Sequence, residues 1–144
     1  MQGRQVALEL SRGRRYGRGL VQEPQPSFGF VRTIYKICPA SAWREAERQG
    51  VYRGSPDDAR DGFIHFSTAA QVRETARRHF FGQKALFLIE VDADALGPAL
   101  RWERSHNDEL FPHLYGELDL GAVRGVMQMH ARSDGHHDFP GLKP

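Results

Sequence analysis

The sequence predicts a single domain of the α+β class, and three observations support this prediction. The chain has 144 residues, a usual length for one domain. Its predicted elements run strand, helix, strand, helix and then strands only, an order typical of α+β domains rather than of doubly wound parallel sheets. Its composition is 40% hydrophobic and 26% charged, as in globular proteins, and no apolar run approaches the roughly 18–20 residues of a membrane span.

The first strand and the first helix follow an arginine-rich beginning. Residues 33–37 are rich in β-branched and aromatic side chains and stop before Pro39, which predicts a strand. Residues 40–49 predict a helix, because Trp43 lies on an apolar face and Gly50 supplies a stop signal.

A loop, a short strand and a second helix come next. Residues 53–62 are rich in Gly, Ser, Pro and Asp and predict a turn-rich loop. Residues 63–67 predict a strand that leads directly into a helix over residues 68–80. Thr68 and Gln71 have the spacing of a capping box at the start of this helix.

The second half of the domain is predicted to consist of strands. Residues 85–91 are a nearly continuous apolar run, which indicates a central strand covered on both faces. Weaker strands are predicted over 99–103 and 123–131. Between them, residues 110–116 form a compact aromatic segment.

Charge is distributed unevenly along the chain. The net charge is +2, but residues 1–32 carry six arginines and two glutamates, which leaves the remaining residues slightly acidic. Glycines and a proline-containing run interrupt this basic segment. We therefore expect residues 1–32 to be a disordered extension, or the true start to lie near Val31. The alternative is a basic arm for nucleic acid, and in that case nucleic acid would bind through this extension only. Residues 33–132 are then the domain, and residues 133–144 a frayed tail.

The strand at 63–67 carries the first candidate site residues. Side chains alternate between the faces of a strand, so His65 and Ser67 lie on one face, roughly 6.5–7 Å apart. A polar pair at the end of a strand and beside a helix N-terminus can hold an anion or a ribose hydroxyl. The alternative is structural, with a hydrogen-bonded core histidine and a serine that only precedes the helix cap.

The segment 110–116 carries a second set of candidates. Histidine can exchange a proton near neutral pH, and tyrosine offers a stacking face and a hydroxyl, so His113 and Tyr115 suit a site. A tight aromatic corner is the structural alternative. Glu103, Glu109 and Glu117 are candidate carboxylates, and Glu103 faces away from Trp102 if residues 99–103 form a strand.

Neither metal binding nor a disulfide is predicted. The chain has seven histidines, but they lack the spacing of a helical metal site, and there is no second cysteine. The single cysteine, Cys38, excludes an internal disulfide and fits a reducing compartment. We therefore expect a cytoplasmic protein with no metal and no membrane partner.

Two motifs give the sequence a family resemblance. Asp-Gly-Phe-Ile-His-Phe-Ser at 61–67 and Phe-Pro-His-Leu-Tyr at 111–115, together with Trp43 and the strand at 34–37, resemble the bacterial domain of unknown function 952 family. The resemblance covers about residues 33–131. That family is placed by fold with the ADP-ribosyltransferases, which implies a split sheet, mixed or antiparallel, with two helices.

The resemblance also implies a function, an enzyme that handles NAD or ADP-ribose and transfers an ADP-ribosyl group or a 2′-phosphate. NAD or ADP-ribose is then the expected small-molecule partner. The implied catalytic residues are His65, His113 and Tyr115, and the implied cofactor-binding residues are Ser67, Tyr35, Lys36, Trp102 and Glu103.

One feature of those transferases has no clear counterpart here. The late-strand glutamate that promotes glycosidic cleavage falls, by rough alignment, at His113 or Tyr115. The alternative function is therefore a non-catalytic module that binds a nucleotide or a nucleotide-modified partner.

Overall fold

The computed structural model describes residues 31–105 and 108–143. The predicted extension over residues 1–32 lies outside the described residues, except for its last two positions. Among the helices of the described part, none combines the length and apolar content needed to cross a membrane.

The described chain alternates short helices with antiparallel strands. Its strands are β1 Thr33–Pro39, β2 Val51–Tyr52, β3 Ile64–His65, β4 Leu86–Asp92, β5 Leu100–Arg104, β6 Leu110–Leu114, β7 Leu118–Asp119, β8 Val123–Gln128, β9 His130–Ala131 and β10 His137–Asp138. Its helices are α1 Ala40–Gln49, α2 Pro56–Asp61 and α3 Val72–His79. All strand pairs are antiparallel, which confirms the predicted α+β class.

The first sheet has the order β1–β4–β8 and holds both parts of the core. One face packs Ile89 of β4 against Trp43 of α1, and the other packs Leu88 against Val72 of α3. Both β4 side chains are fully buried. The prediction of a central strand covered on both faces is therefore confirmed, because a strand with cores on both sides has a nearly continuous apolar sequence.

The second sheet has the order β3–β6–β5 and positions the candidate site. Its register places His65 of β3 opposite His113 of β6, and His113 opposite Arg101 of β5. Leu114 belongs to the core, so alternation directs its neighbour His113 to the opposite face. Because paired residues share a face, His65, Arg101 and, two positions along β5, Glu103 lie on that face too.

Pro112 ends the pairing between β3 and β6. The segment that follows His65 then leaves the second sheet and joins the first. The Phe66 N–H donates to the Pro112 carbonyl at 3.0 Å, but the reciprocal bond needs an N–H that proline lacks. One residue later, Ser67 and Tyr35 of β1 exchange both backbone hydrogen bonds, at 2.8 and 2.9 Å. Residues 65–67 thus connect the two sheets.

The prediction of a loop over residues 53–62 is wrong for residues 56–61, which form α2. Ser55 Oγ accepts the Asp58 N–H at 3.1 Å, and Asp58 Oδ2 accepts the Ser55 N–H at 2.9 Å. This capping box, with Pro56 in the first turn, begins the helix. Serine, proline and aspartate serve both turns and helix N-termini, so composition alone did not distinguish the two.

Other predicted boundaries also change, among them the strand predicted over 63–67, which is β3 over Ile64–His65. Residues 110–114 of the compact segment are strand β6, and the strand over 123–131 is divided into β8 and β9. The helix predicted over 68–80 begins only at Val72. Half of its capping box is present, since Gln71 Oε1 accepts the Thr68 N–H at 3.1 Å.

The C-terminal segment, where the sequence indicates fraying, contains paired structure. Strand β10 pairs with β9, with His137 opposite Ala131. Further along, the Lys143 N–H donates to the hydroxyl of Tyr35 at 2.7 Å, and Lys143 Nζ lies 3.1 Å from Glu90 Oε2. These contacts attach residues 137–143 to the first sheet.

Candidate functional site

Aromatic and titratable side chains gather on the outer face of the second sheet. We call Phe63, His65, Glu103, His113 and Tyr115 the outer-face cluster. The Phe63 ring stacks on His113 with centroids 4.1 Å apart, and it lies 4.6 Å from His65 and 5.3 Å from Tyr115. The rings of His65 and His113 meet edge to face at 5.5 Å. The structure thus brings together four residues that the sequence predicts for the site.

His65 is held by the buried carboxylate of Asp58. Oδ1 of Asp58 lies 2.6 Å from His65 Nδ1 and also accepts the His65 backbone N–H at 3.2 Å. Oδ2 accepts from Lys36 Nζ at 2.8 Å and from the Ser55 N–H at 2.9 Å. Both oxygens therefore have two partners each, and the imidazole orientation is fixed by a fully satisfied carboxylate.

The environment of Asp58 keeps it ionised. Burial by itself raises the pKa of a carboxyl group, but the hydrogen bond from His65 and the charge and hydrogen bond of Lys36 outweigh it. They hold the pKa of Asp58 well below its usual range. Asp58 is 2% exposed and Lys36 8% exposed, so the two charges form a buried pair.

The other ring nitrogen of His65 faces the surface. Nε2 lies 3.0 Å from Oδ2 of Asp61, and the His65 side chain is 37% exposed. Carboxylates only accept hydrogen bonds, so His65 donates to Asp58 and Asp61 together only when both ring nitrogens carry hydrogens. Displacing Asp61 with a ligand would leave Nε2 to exchange a proton with that ligand.

Glu103 is held by two hydrogen-bond donors, His113 in β6 and Tyr115 directly after β6. Its Oε1 lies 2.8 Å from His113 Nδ1 and accepts from the Tyr115 hydroxyl at 2.8 Å. Burial opposes ionisation, but the hydrogen bond and charge of His113, the hydrogen bond of Tyr115 and the charge of Arg101 together lower the pKa of Glu103. Within the described residues, no donor contacts Oε2, so this oxygen is open to a ligand.

His113 is less accessible than the sequence suggests. It is 6% exposed beneath the Phe63 ring. Burial lowers the pKa of His113, although Glu103 opposes this effect. The groups that a ligand can reach are His65, Glu103, Tyr115 and Phe63, and His113 acts on the site by orienting Glu103.

The remaining predicted site residues lie elsewhere. The Ser67 hydroxyl is hydrogen-bonded with Thr75 Oγ1 at 2.8 Å and is buried. Tyr35 is in the core beside α3, and Trp102 packs against the core on the opposite face of β5 from Glu103. Lys36 reaches the site only through Asp58.

Sequence reasoning did not assign roles to Asp58, Asp61, Phe63 or Arg101. Asp61 and Phe63 stand inside the first motif, Asp61 two residues before the predicted strand and Phe63 at its first position, and this was the available signal. Asp58 carried no signal, because it lies in the segment expected to be a loop. No group of three or more His, Cys, Asp or Glu side chains in the described ranges could hold a metal ion.

Comparison with known proteins identifies the family. A family model described as "Protein of unknown function (DUF952)" matches residues 37–126. The chain belongs to this family. The family resemblance of the two motifs is therefore confirmed. No curated protein matches the chain.

Solved structures of a protein from Caulobacter crescentus are similar to this one. The X-ray crystal structure of protein CC0527 from Caulobacter crescentus has 40% sequence identity and a TM-score of 0.72, covering 74% of this chain and 93% of that chain. The solution NMR structure of the same protein has 41% identity and a TM-score of 0.66, covering 72% and 90%.

Proposed function

We propose that this DUF952 protein is an enzyme that acts at the N-glycosidic bond of NAD or a related ADP-ribosyl compound. One observation carries the proposal. The Glu103 carboxylate is fixed through Oε1 by His113 and Tyr115, while no donor among the described residues contacts Oε2, and Glu103 shares a face of the sheet with His65. A fixed carboxylate can stabilise the positive charge that develops in glycosidic cleavage, and a histidine can accept a proton.

The chemistry of that bond explains the role of Glu103. When the bond between nicotinamide and the ribose C1′ breaks, nicotinamide leaves with the electron pair and C1′ becomes oxocarbenium-like. A carboxylate held in place before the reaction stabilises this positive charge. Glu103 contacts His113 and Tyr115, the positions where the late-strand glutamate of the transferases falls by alignment. It supplies the carboxylate that the sequence comparison lacked.

His65 completes the reaction as the acid–base group. An attacking water or hydroxyl gives its oxygen to C1′ and its proton to Nε2 of His65, which must first lose its contact with Asp61. Asp58 keeps the ring oriented during this transfer. Phe63 and Tyr115 offer aromatic faces on which a base can stack.

The arrangement of the sheets also supports the proposal of an ADP-ribosyltransferase-like fold. Two three-stranded antiparallel sheets are joined by residues 65–67, as expected of a split sheet. The candidate site lies on the second sheet next to this junction.

The test is nicotinamide release from NAD by the full-length chain. We expect release by the wild type and a loss of about 100-fold or more in Glu103→Gln, which keeps the shape but removes the charge. Glu117→Gln is the matched control, since Glu117 is exposed and pairs with Arg53. Absence of release by the wild type, or equal rates in Glu103→Gln, would rule out this function.

The alternative is a module that binds a nucleotide without catalysis, and calorimetry separates the two. Titration with ADP-ribose reports binding whether or not the chain turns NAD over. The binding module would be favoured if the wild type binds ADP-ribose but releases no nicotinamide from NAD, and if His65→Ala binds ADP-ribose more weakly.

A further inference from the structure

Arg101 differs from every other arginine that the structure describes. Of the twelve in residues 31–105 and 108–143, eleven are exposed and Arg101 alone is half-buried. Its side chain makes no hydrogen bond or ion pair within the described residues, although its charge acts on Glu103. A guanidinium that loses part of its water without gaining an acceptor bears a desolvation cost.

The location of Arg101 is the second observation. It lies opposite His113 in the strand register and two residues from Glu103, so it shares the face of the outer-face cluster. Alternate residues of a strand are roughly 6.5–7 Å apart. Because both side chains leave β5 on the same face, a group bound by Arg101 would be a neighbour of a group held at Glu103.

The other charges on this face are already matched. Asp58 pairs with Lys36 at 2.8 Å, and Asp61 pairs with Arg60 at 3.1 Å. Within the described residues, neither Oε2 of Glu103 nor the Arg101 guanidinium has a hydrogen-bond partner. The face is thus complementary to a ligand that has a positive centre and an anionic group a short distance apart.

We infer that Arg101 forms a phosphate subsite next to Glu103, and that the substrate carries its diphosphate over strand β5. The planar fork of a guanidinium binds two phosphate oxygens at once, which an ammonium group does not do. Assignment of the phosphate to an ADP-ribosyl substrate rests on the proposed function. Binding of a phosphate group at Arg101 does not.

The experiment is a titration of the full-length chain with inorganic pyrophosphate, followed by calorimetry and by NMR of the arginine side-chain N–H groups. We expect binding by the wild type, with the Arg101 signal shifted. Arg101→Gln should bind at least about 10-fold more weakly, as expected for lost hydrogen bonds to a charged group. Arg124→Gln is the matched control, because Arg124 is exposed and pairs with Asp92 on the first sheet.

Two results would overturn the subsite. One is no pyrophosphate binding by the wild type, and the other is equal binding by wild type and Arg101→Gln. Arg101→Lys serves as a second variant that keeps the charge but loses the fork. It should bind with intermediate affinity, and wild-type affinity in Arg101→Lys would refute recognition by the fork.

The outcomes for the subsite and for the proposed function are separable. Pyrophosphate binding that depends on Arg101, without nicotinamide release, keeps the subsite and removes the glycosidic reaction. Nicotinamide release with an unchanged KM for NAD in Arg101→Gln keeps the reaction and removes the assignment of this subsite to the diphosphate of NAD.

Discussion

Replacing Lys36 by methionine tests the buried pair that supports His65. Lys36 Nζ lies 2.8 Å from Asp58 Oδ2, and both side chains are buried. Methionine keeps most of the apolar length but leaves the carboxylate without its cation. Removing one partner of a buried ion pair costs about 3–5 kcal/mol of unfolding free energy.

The remaining contacts of Asp58 set the expected value within that range. The Ser55 N–H, the His65 N–H and His65 Nδ1 still reach the carboxylate. We therefore expect a loss near the lower limit, about 3 kcal/mol. At about 4 °C per kcal/mol for a domain of this size, the Tm of Lys36→Met falls by about 12 °C.

The effect of Lys36→Met also depends on pH. The folded-state pKa of Asp58 is held below its unfolded value of about 3.9. The stabilisation is therefore fully present above about pH 3.9 and is lost as the pH falls through the folded-state pKa. Without Lys36 that pKa rises, so acid unfolding of the variant begins at a higher pH.

Urea unfolding at neutral pH and an acid titration measure both effects. Lys84→Met is the control, because Lys84 is exposed and its loss should change stability by less than about 0.5 kcal/mol. A double-mutant cycle with Asp58→Asn isolates the coupling between the two side chains. Equal stability of Lys36→Met and Lys84→Met, with no coupling in the cycle, would refute the reasoning.

Three other substitutions test the site and its support. Gly54 has φ +105°, and a Cβ there would lie 2.8 Å from Asp58 Cβ, so Gly54→Ala should lose about 1–3 kcal/mol in urea unfolding. Gly141→Ala, where a Cβ meets nothing within 4 Å, should match the wild type. Because burial lowers the pKa of His113, the folded protein gains stability as the pH rises from that lowered pKa to about 6.5. His113→Gln should lack this gain, and equal pH slopes would contradict it. Tyr115→Phe removes a hydrogen bond that lowers the pKa of Glu103, so a carboxyl NMR titration should show that pKa shifting upward. An unchanged Glu103 titration would count against the contact.

Local patterns were enough for the elements that make up the first sheet. The apolar run at 85–91 permitted only a strand between two cores, and β4 occupies Leu86–Asp92. Helix α1 has the predicted bounds, because Gly50 adopts φ 79° and ends it. Helix α2 was missed, since Ser55, Pro56 and Asp58 suit a turn as well as a helix start.

The candidate site depends on pairings that local patterns do not contain. Strand alternation predicts the face of Glu103, but not that β6 lies between β3 and β5. His65 and His113 are 48 positions apart in the sequence, and only the family motifs placed them in one cleft. Ser67 was paired with His65 by alternation, yet its hydrogen bonds connect it to Tyr35 and Thr75. Long-range register, rather than propensity, decides these positions.

Residues 65–67 pass from the second sheet to the first opposite Pro112, and this junction affects the dynamics of the backbone that carries His65. Phe66 is buried, and Ser67 exchanges two backbone hydrogen bonds with Tyr35. Local opening at this point would have to break pairs in both sheets at once, so slow amide exchange is expected at Tyr35, Phe66 and Ser67. Amide hydrogen exchange at these three residues should require unfolding of the whole domain. A ligand would then be accommodated by movement of the side chains of Asp61 and Phe63 rather than of the strand beneath them.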